Sequence, residues 1–358
     1  MQIIEYVSQE HLICMEYGHC MGNSCCETEP ESEPRVAPSW RVRRQRAGPG
    51  FEPAAVGPYR GVEVAARRPR RRLEMPTGLA TLVFGFGDKL HIECAVDRPA
   101  GEVAASSIVS VPHRQAHTGT HAGRIACIEV TLTPFAASRV LGAAMTEFDR
   151  PIEDMAAVLG RGASELVEQL AHTPDWTARF GLVDRFLALR MRARPPSCPP
   201  AVAEAWRRLQ QDPAPRLEEL CRELGWSGRQ LRRLFERHVG LEPRHVAAVA
   251  RMQRALRAES TGMTLGDVAN SAGYCDHAHF DHAFKELVGM TPSRYRDLRT
   301  AAGVPDALTT RVPRRVTGLT LPEAPEDPER APRGRAARRA KAGAAAGEDP
   351  QRRRPEQA

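Results

Sequence analysis

Two stretches in the second half of the chain repeat one pattern of apolar and polar positions. Residues 217–235 and 265–284 each begin with apolar residues at the spacing of one helix face, then show glycine, an aromatic residue and a second helical pattern. The glycine permits the positive φ that ends a helix, and Ser227 and Asp276 can each cap the helix that follows. The pattern predicts two helix-turn-helix units.

The second helix of the first unit has one apolar face and one basic face when its residues are placed at 3.6 per turn. Its apolar side carries Leu231, Leu234, Phe235 and Val239, and its opposite side carries Arg229, Arg232, Arg233 and Arg237. A run of charge is often only a solvated face. On the second helix of this motif, however, arginines meet phosphates and base edges, so we interpret the face as a DNA-reading surface.

The second unit is built alike but is charged differently. Aligning Ser227 with Asp276 places Ala278, Asp281 and His282 where the first unit has Arg229, Arg232 and Arg233. Asp281 can accept from a cytosine amino group, whereas His277, His279, His282 and Lys285 can touch phosphates. No carboxylate or cysteine completes a metal-ligand pattern with these histidines, so no metal site is predicted.

Between the units, residues 243–258 read as one helix with proline in its first turn. Such a helix would fix the spacing of two DNA-reading helices, which can then enter successive major grooves about 34 Å apart. Arg254 on its polar face is predicted to meet phosphate. The predicted DNA-binding residues are Ser227, Arg229, Arg232, Arg233, Arg237, Arg254, Asp276, His277, His279, Asp281, His282 and Lys285.

At these residues the chain resembles the AraC-type (AraC/XylS) transcription regulators of bacteria. The resemblance covers roughly residues 200–299 and rests on residues 227–235, 273–285 and 289–296, the last beginning Gly-Met-Thr-Pro. It implies a seven-helix DNA-binding domain that regulates transcription, often by recruiting RNA polymerase, joined to a sensing domain. His282 stands where such proteins often carry arginine, so a weaker second contact is expected.

The first half of the chain has a different pattern, of short apolar runs broken by Gly, Asp and Pro, followed by helical periodicity from Thr133 onward. An antiparallel sheet or small barrel is therefore expected, and then helices. In the last helix Trp176, Phe180, Val183 and Leu187 form a stripe typical of a core or a dimer contact. The predicted strands lie within 79–86, 90–96, 105–111 and 123–132, and the predicted helices near 134–148, 151–159, 163–171 and 174–192.

These patterns predict an α+β chain whose N-terminal part is strand-rich and then helical and sensor-like, and whose C-terminal part is all-α with two helix-turn-helix units. The predicted organisation is a poorly ordered leader and linker at 1–58, a sensing or dimerisation domain at 59–193, a proline-rich linker at 194–200, a DNA-binding domain at 201–300 and a disordered basic tail at 307–358.

Composition narrows the function classes. The 358 residues include 51 Lys and Arg against 44 Asp and Glu, so the net charge of +7 is modest and its distribution matters more than its total. The longest apolar run, residues 78–87, is too short to cross a bilayer. A cytoplasmic protein without a membrane partner is expected, with its nine cysteines as reduced thiols.

Two other function classes stay open at this point. A DNA alkylation-repair protein would use the cysteines near the start, Cys14, Cys20, Cys25 and Cys26, although no Cys-x-x-Cys pair is present there. An architectural binder would hold all DNA sequences alike.

No catalytic constellation and no cofactor are predicted. The histidines His91, His113, His117 and His121 are interpreted as loop or surface residues. Expected partners are promoter or operator DNA in double-stranded form, RNA polymerase, a small-molecule effector and a second copy of the chain.

Overall fold

The computed structural model describes residues 39–52, 55–66, 68–96, 102–194, 198–211, 216–302, 312 and 314–322. Most of its strands come first, one short strand lies between the first two α-helices, and one strand follows the last helix. The strands are β1 (Ser39–Gln45), β2 (Tyr59–Ala65), β3 (Arg70–Glu74), β4 (Ala80–Gly85), β5 (Leu90–Cys94), β6 (Val103–Ala105), β7 (Ile108–Ser110), β8 (His117–His121), β9 (Arg124–Leu132), β10 (Ile152–Asp154) and β11 (Gly318–Leu321).

The helices fall into two groups that match the predicted plan. The first group is α1 (Pro134–Leu141), α2 (Met155–Leu159), α3 (Arg161–His172) and α4 (Trp176–Arg192), with a single 3-10 turn at Met145–Glu147. The second group is α5 (Pro200–Gln211), α6 (Leu217–Leu224), α7 (Gly228–Val239), α8 (Pro243–Ser260), α9 (Leu265–Ala272), α10 (His277–Val288) and α11 (Pro292–Ala302).

The strands form two antiparallel sheets that pack face to face. One sheet has the order β1-β2-β9-β4-β7-β10, and the other has the order β11-β3-β8-β5-β6. Because side chains alternate along a strand, each sheet has an inner and an outer face. Val62, Val83 and Cys127 of the first sheet pack on the inner side in one buried cluster with Ile92 and Ala105 of the second.

The outer faces are covered by the two helix groups. Leu82, Phe84 and Ile128 of the first sheet pack in one core with buried residues of α1 to α4, including Val183 and Leu187. The predicted stripe on α4 is therefore a core stripe, since Phe180, Val183 and Leu187 are buried and Trp176 packs partly buried against the same core. None of the described helices combines the length and the apolar character that a membrane span requires.

Two predicted order boundaries are wrong. The leader was predicted to be poorly ordered through residue 58, but β1 pairs with β2 over its whole length, from Ser39 opposite Ala65 to Gln45 opposite Tyr59. The tail was predicted to be disordered from residue 307, but β11 pairs with β3, Leu319 opposite Leu73. Strand β1 is rich in arginine, and β11 has only four residues, so neither has a strong strand pattern of its own. Each is stabilised by pairing with another strand, and the local sequence does not reveal that pairing.

Candidate nucleic-acid interface

The first helix-turn-helix unit, α6 and α7, has the turn that its sequence predicts. Gly225 adopts φ +66°, and the backbone N–H of Trp226 donates to the carbonyl oxygen of Cys221 over 2.9 Å. The Ser227 hydroxyl oxygen accepts from the backbone N–H of Gln230 at 3.2 Å and so caps α7. The predicted boundaries of this unit are confirmed.

The two faces of α7 also separate as predicted. Leu231, Phe235 and Val239 are buried, while the side chains of the arginines on the other face are exposed: Arg229, Arg232, Arg233 and Arg237. One of them already has an intramolecular partner, because the Arg232 Nε lies 3.6 Å from the Glu242 carboxylate.

Glu242 also holds Arg244, whose Nε lies 2.9 Å from the same carboxylate. Sequence reasoning missed Glu242, which precedes α8 and orients an arginine from each side of the turn. Arg244 is exposed next to the α7 face and enlarges the cationic surface. Glu242 could have been identified from its position, because it comes immediately before Pro243, the predicted first residue of α8.

The second unit, α9 and α10, repeats the same turn. Gly273 adopts φ +85°, and the Asp276 carboxylate accepts from the backbone N–H of His279 at 2.7 Å. Thr264 caps α9 through the backbone N–H of Asp267 at 3.2 Å. Phe280, Phe284, Leu287 and Val288 are buried, so α10 presents its other face outward.

The outward face of α10 carries less free positive charge than that of α7. His282 and Lys285 are exposed, whereas His277 lies 3.7 Å from the Asp281 carboxylate one turn later. His279 turns back toward its own unit: its ring meets the edge of Tyr274 at 5.4 Å, and its Nδ1 lies 3.4 Å from the backbone nitrogen of Cys275.

Helix α8 connects the two units and is more buried than a simple spacer. Arg254 is half-buried. The positive charges of Arg251 and Arg254 both act to lower the pKa of the Tyr274 hydroxyl. Burial raises the pKa of the Tyr274 hydroxyl to about 12, against the opposing effect of the two arginines. The Arg251 guanidinium lies 5.6 Å from the centre of the Tyr274 ring. Arg254 is thus placed beside the turn of the second unit.

Both units contact the strand-rich half of the chain. Gly240 at the end of α7 lies so close to Met145 that a Cβ there would be 3.0 Å from the Met145 Cβ. At the second unit, the backbone N–H of Ala116 donates to the carbonyl oxygen of Leu287 over 2.7 Å. The core of the second unit also includes Leu73 and Leu319 of the second sheet. Neither unit stands apart from the sheets.

A cavity of about 340 Å³ lies between the inner faces of the two sheets. Three of the four histidines interpreted as loop or surface residues line it: His113, His117 and His121. That interpretation is wrong for His117, which is 6% exposed. The signal that could have identified it is the alternation His117-Thr-Gly119-Thr-His121, which places both histidines on one face of a strand. His91 faces outward and lies 2.7 Å from Glu102.

The cavity histidines are held as neutral rings. Burial lowers the pKa of His113 to about 3, with the neighbouring His117 as the next cause, and the two rings meet edge to face at 4.6 Å. Burial also lowers the pKa of His117 and of His121. Among the described residues, no group of three or more His, Cys, Asp or Glu side chains is arranged to hold a metal ion. The cysteines Cys14, Cys20, Cys25 and Cys26 lie outside the described residues.

Comparison with known proteins finds matches to the two helix-turn-helix units. A family model described as a helix-turn-helix domain matches residues 220–298. Over 87 residues the chain is 31% identical to the HTH-type transcriptional activator RhaR of Klebsiella pneumoniae, and over 82 residues it is 32% identical to RhaR of Pectobacterium atrosepticum. The matches cover 24% and 23% of this chain, which spans less than a third of the length of these curated relatives.

Solved structures give a more distant likeness. The chain covers 99% of ToxT from Vibrio cholerae O395 with 75% of its own length, at 12% identity and a TM-score of 0.39. It covers 94% of the C-terminal domain of AraT, a response regulator from Geobacillus stearothermophilus, with 31% of its own length, at 26% identity and a TM-score of 0.28.

Proposed function

We propose that this chain, whose residues 220–298 match a helix-turn-helix domain, is a sequence-specific transcription regulator of the AraC type that reads two successive major grooves. The observation that carries the proposal is the paired geometry of α7 and α10. Each helix begins at a side-chain cap, buries its apolar face and exposes its polar face. A single reading helix would not need this duplication.

The two helices would contribute unequally to binding. The four exposed arginines of α7 can contact guanine edges and phosphates. Helix α10 has fewer basic side chains on its outward face, where His282 and Lys285 are exposed. We therefore expect the site bound by α7 to dominate affinity. Because α10 adds little nonspecific attraction, an architectural binder that holds all sequences alike is not favoured.

Under this proposal the main activity is DNA binding and not catalysis. The matched relatives are named transcriptional activators, and contact with RNA polymerase at a promoter is part of the proposal for this chain. The proposal places the chain in the cytoplasm, where bacterial promoters are found. The alternative, alkylation repair, would require chemistry at Cys14, Cys20, Cys25 or Cys26, and methyl transfer to these thiols would be its test.

The strand-rich half would serve as the sensor of this regulator. Its cavity between two sheets is within the size range of small-molecule sites and has an apolar lining with a few polar groups. A small-molecule effector in this cavity is part of the proposal. So is a homodimer, which sedimentation of the full chain at micromolar concentration would detect.

The decisive experiment selects bound duplexes from a random DNA pool with the full chain at near-physiological salt. The full chain is required because the core of the second unit includes Leu73 and Leu319 of the sheet. We expect two motifs whose centres are about one helical turn apart. Recovery of no motif would contradict the proposal.

Substitution of Arg232 or Arg233 by alanine then tests the placement of α7. We expect each change to weaken binding to the selected site by about 1–3 kcal/mol and to relax specificity at one or two base pairs. Arg161→Ala is the matched control, because Arg161 is an exposed arginine on α3 and its loss changes net charge equally. Equal losses in all three variants would indicate general electrostatics instead of base reading.

A further inference from the structure

One wall of the cavity is basic. The described side chains that line it include four arginines and two glutamates: Arg60, Arg70, Arg71, Arg72, Glu74 and Glu129. Both glutamates are already paired, Glu129 with Arg60 and Glu74 with Arg72. Among the described residues, Arg70 and Arg71 have no carboxylate partner. The cavity therefore has positive charge that its own acids do not balance.

The basic wall has an open space at Gly119. Gly119 lies on β8 between His117 and His121, and it pairs across the sheet with Arg72. A Cβ at Gly119 would meet no atom within 4 Å, so the position opens directly into the cavity. Arg70 pairs with His121 in the same register, which places its charge beside this space.

Two buried nitrogen atoms beside this space have no hydrogen-bond partner among the described residues. They are Nδ1 of His117 and Nδ1 of His121. A buried polar atom without a partner costs free energy, so its presence in a cavity indicates a group that binds there. A neutral imidazole whose proton is on Nδ1 can donate one hydrogen bond there without adding charge, and the charge of Asp88 acts on the pKa of His121.

The rest of the lining is aliphatic. Val62, Val83, Ile92 and Ile108 face the cavity from both sheets. Its volume of about 340 Å³ equals that of roughly ten water molecules in the liquid, which suits a compact organic ligand. A highly polar ligand would leave its own groups without partners against this aliphatic surface.

We propose that the cavity binds a small organic carboxylate with an apolar body, and that the carboxylate lies over Gly119 beside Arg70 and the two histidines. The apolar body then extends between the sheets toward Ile92 and Ile108. This assignment rests on the proposed sensor role of the strand-rich half, and it specifies the chemical class of the effector.

Titration calorimetry of the full chain without DNA tests the assignment with four probes: octanoate, 1-octanol, octylammonium and acetate. Octanoate has both the anionic head and the apolar body, and the other three lack one of these features. We expect octanoate to bind at least ten-fold more tightly than each of the others. Equal binding of octanoate and 1-octanol, or no binding of octanoate, would overturn the assignment.

Two variants locate the carboxylate. Gly119→Leu should fill the open space, and Arg70→Gln should remove the uncompensated charge, so each should weaken octanoate binding at least ten-fold. The controls are His91→Gln and Arg124→Gln, which alter exposed side chains on β5 of the same sheet and on β9 of the other sheet. Octanoate affinity unchanged in Gly119→Leu would also overturn the assignment. A chain that selects a DNA motif but binds no octanoate would keep the proposed function and lose only this inference.

Discussion

His113 shows how burial changes the chemistry of one residue. Its Nδ1 lies 2.7 Å from the carbonyl oxygen of Gln115, and its pKa is lowered to about 3 by burial. An unfolded histidine titrates near 6.5, so between pH 6.5 and pH 3 the unfolded state binds more protons than the folded state. The stabilisation from a neutral His113 is therefore complete above pH 6.5 and is lost progressively below it.

We predict that His113→Asn makes folding less sensitive to acid. Asparagine can donate to the Gln115 carbonyl oxygen but does not titrate. Between pH 7 and pH 5 the free energy of unfolding should fall by about 1–2 kcal/mol more in the parent than in the variant. Urea denaturation at both pH values measures this difference. The exposed His91→Asn should keep the dependence of the parent, and an unchanged dependence in His113→Asn would contradict the interpretation.

At the scale of elements, strand β11 joins the two halves of the molecule although it follows the last DNA-binding helix. The backbone N–H of Met75 donates to the carbonyl oxygen of Thr317 over 3.0 Å. Gln253 of α8, 1% exposed, donates from Nε2 to the carbonyl oxygens of Pro76 and Val316 at 2.8 Å and 2.9 Å. One buried amide thus connects α8 to the segment after β3 and to the segment before β11.

We predict that Leu319→Ala on β11 destabilises the second helix-turn-helix unit. Leu319 is 1% exposed in the core that also contains Phe280 and Phe284 of α10, so its truncation leaves a cavity. The expected loss is about 2–4 kcal/mol in the free energy of unfolding. Thr320→Ala changes the adjacent residue, whose side chain lines the cavity between the sheets, and should cost less than 1 kcal/mol. Similar losses in both variants would contradict this arrangement.

The elements that sequence predicted well carry local signals. Ser227, Asp276 and the glycines at 225 and 273 specify their turns within a few residues, so the helix boundaries followed from the sequence. Strands β1, β8 and β11 are marked only weakly in the sequence: β1 has three arginines among seven residues, β8 has Gly119 at its centre, and β11 has only four residues. They are stabilised by pairing with other strands, and the cavity depends on the packing of strands that are distant in sequence.

At the scale of the whole molecule, residues 113–117 connect the cavity to the second unit. His113 and His117 line the cavity. Arg114 and Ala116 between them face the DNA-binding helices: the Arg114 guanidinium lies 3.6 Å from the Glu286 carboxylate, and Ala116 donates to Leu287. A ligand that shifts the histidines would move the same short segment that holds α10. This gives a physical route from an effector to the weaker reading helix.

The contact between α10 and the strand-rich half can be tested separately from the internal stability of the helix-turn-helix units. Gly289 ends α10 with φ +84°, and a Cβ there would lie 2.7 Å from the carbonyl oxygen of Ala95 in the strand-rich half. Gly225 ends α6 with φ +66°, but a Cβ there would meet nothing within 4 Å. Alanine at either position costs about 1–2 kcal/mol because of its positive φ.

Gly289→Ala must also push the second unit away from the sheet, so we expect it to destabilise the chain by at least about 1 kcal/mol more than Gly225→Ala. Urea denaturation of the two variants measures this difference. In Gly289→Ala the loosened α10 should, in addition, lose most of any response of DNA affinity to an effector, whereas Gly225→Ala should retain it. Equal stability losses together with an equal effector response would mean that the contact between α10 and the sheet does not couple the two halves.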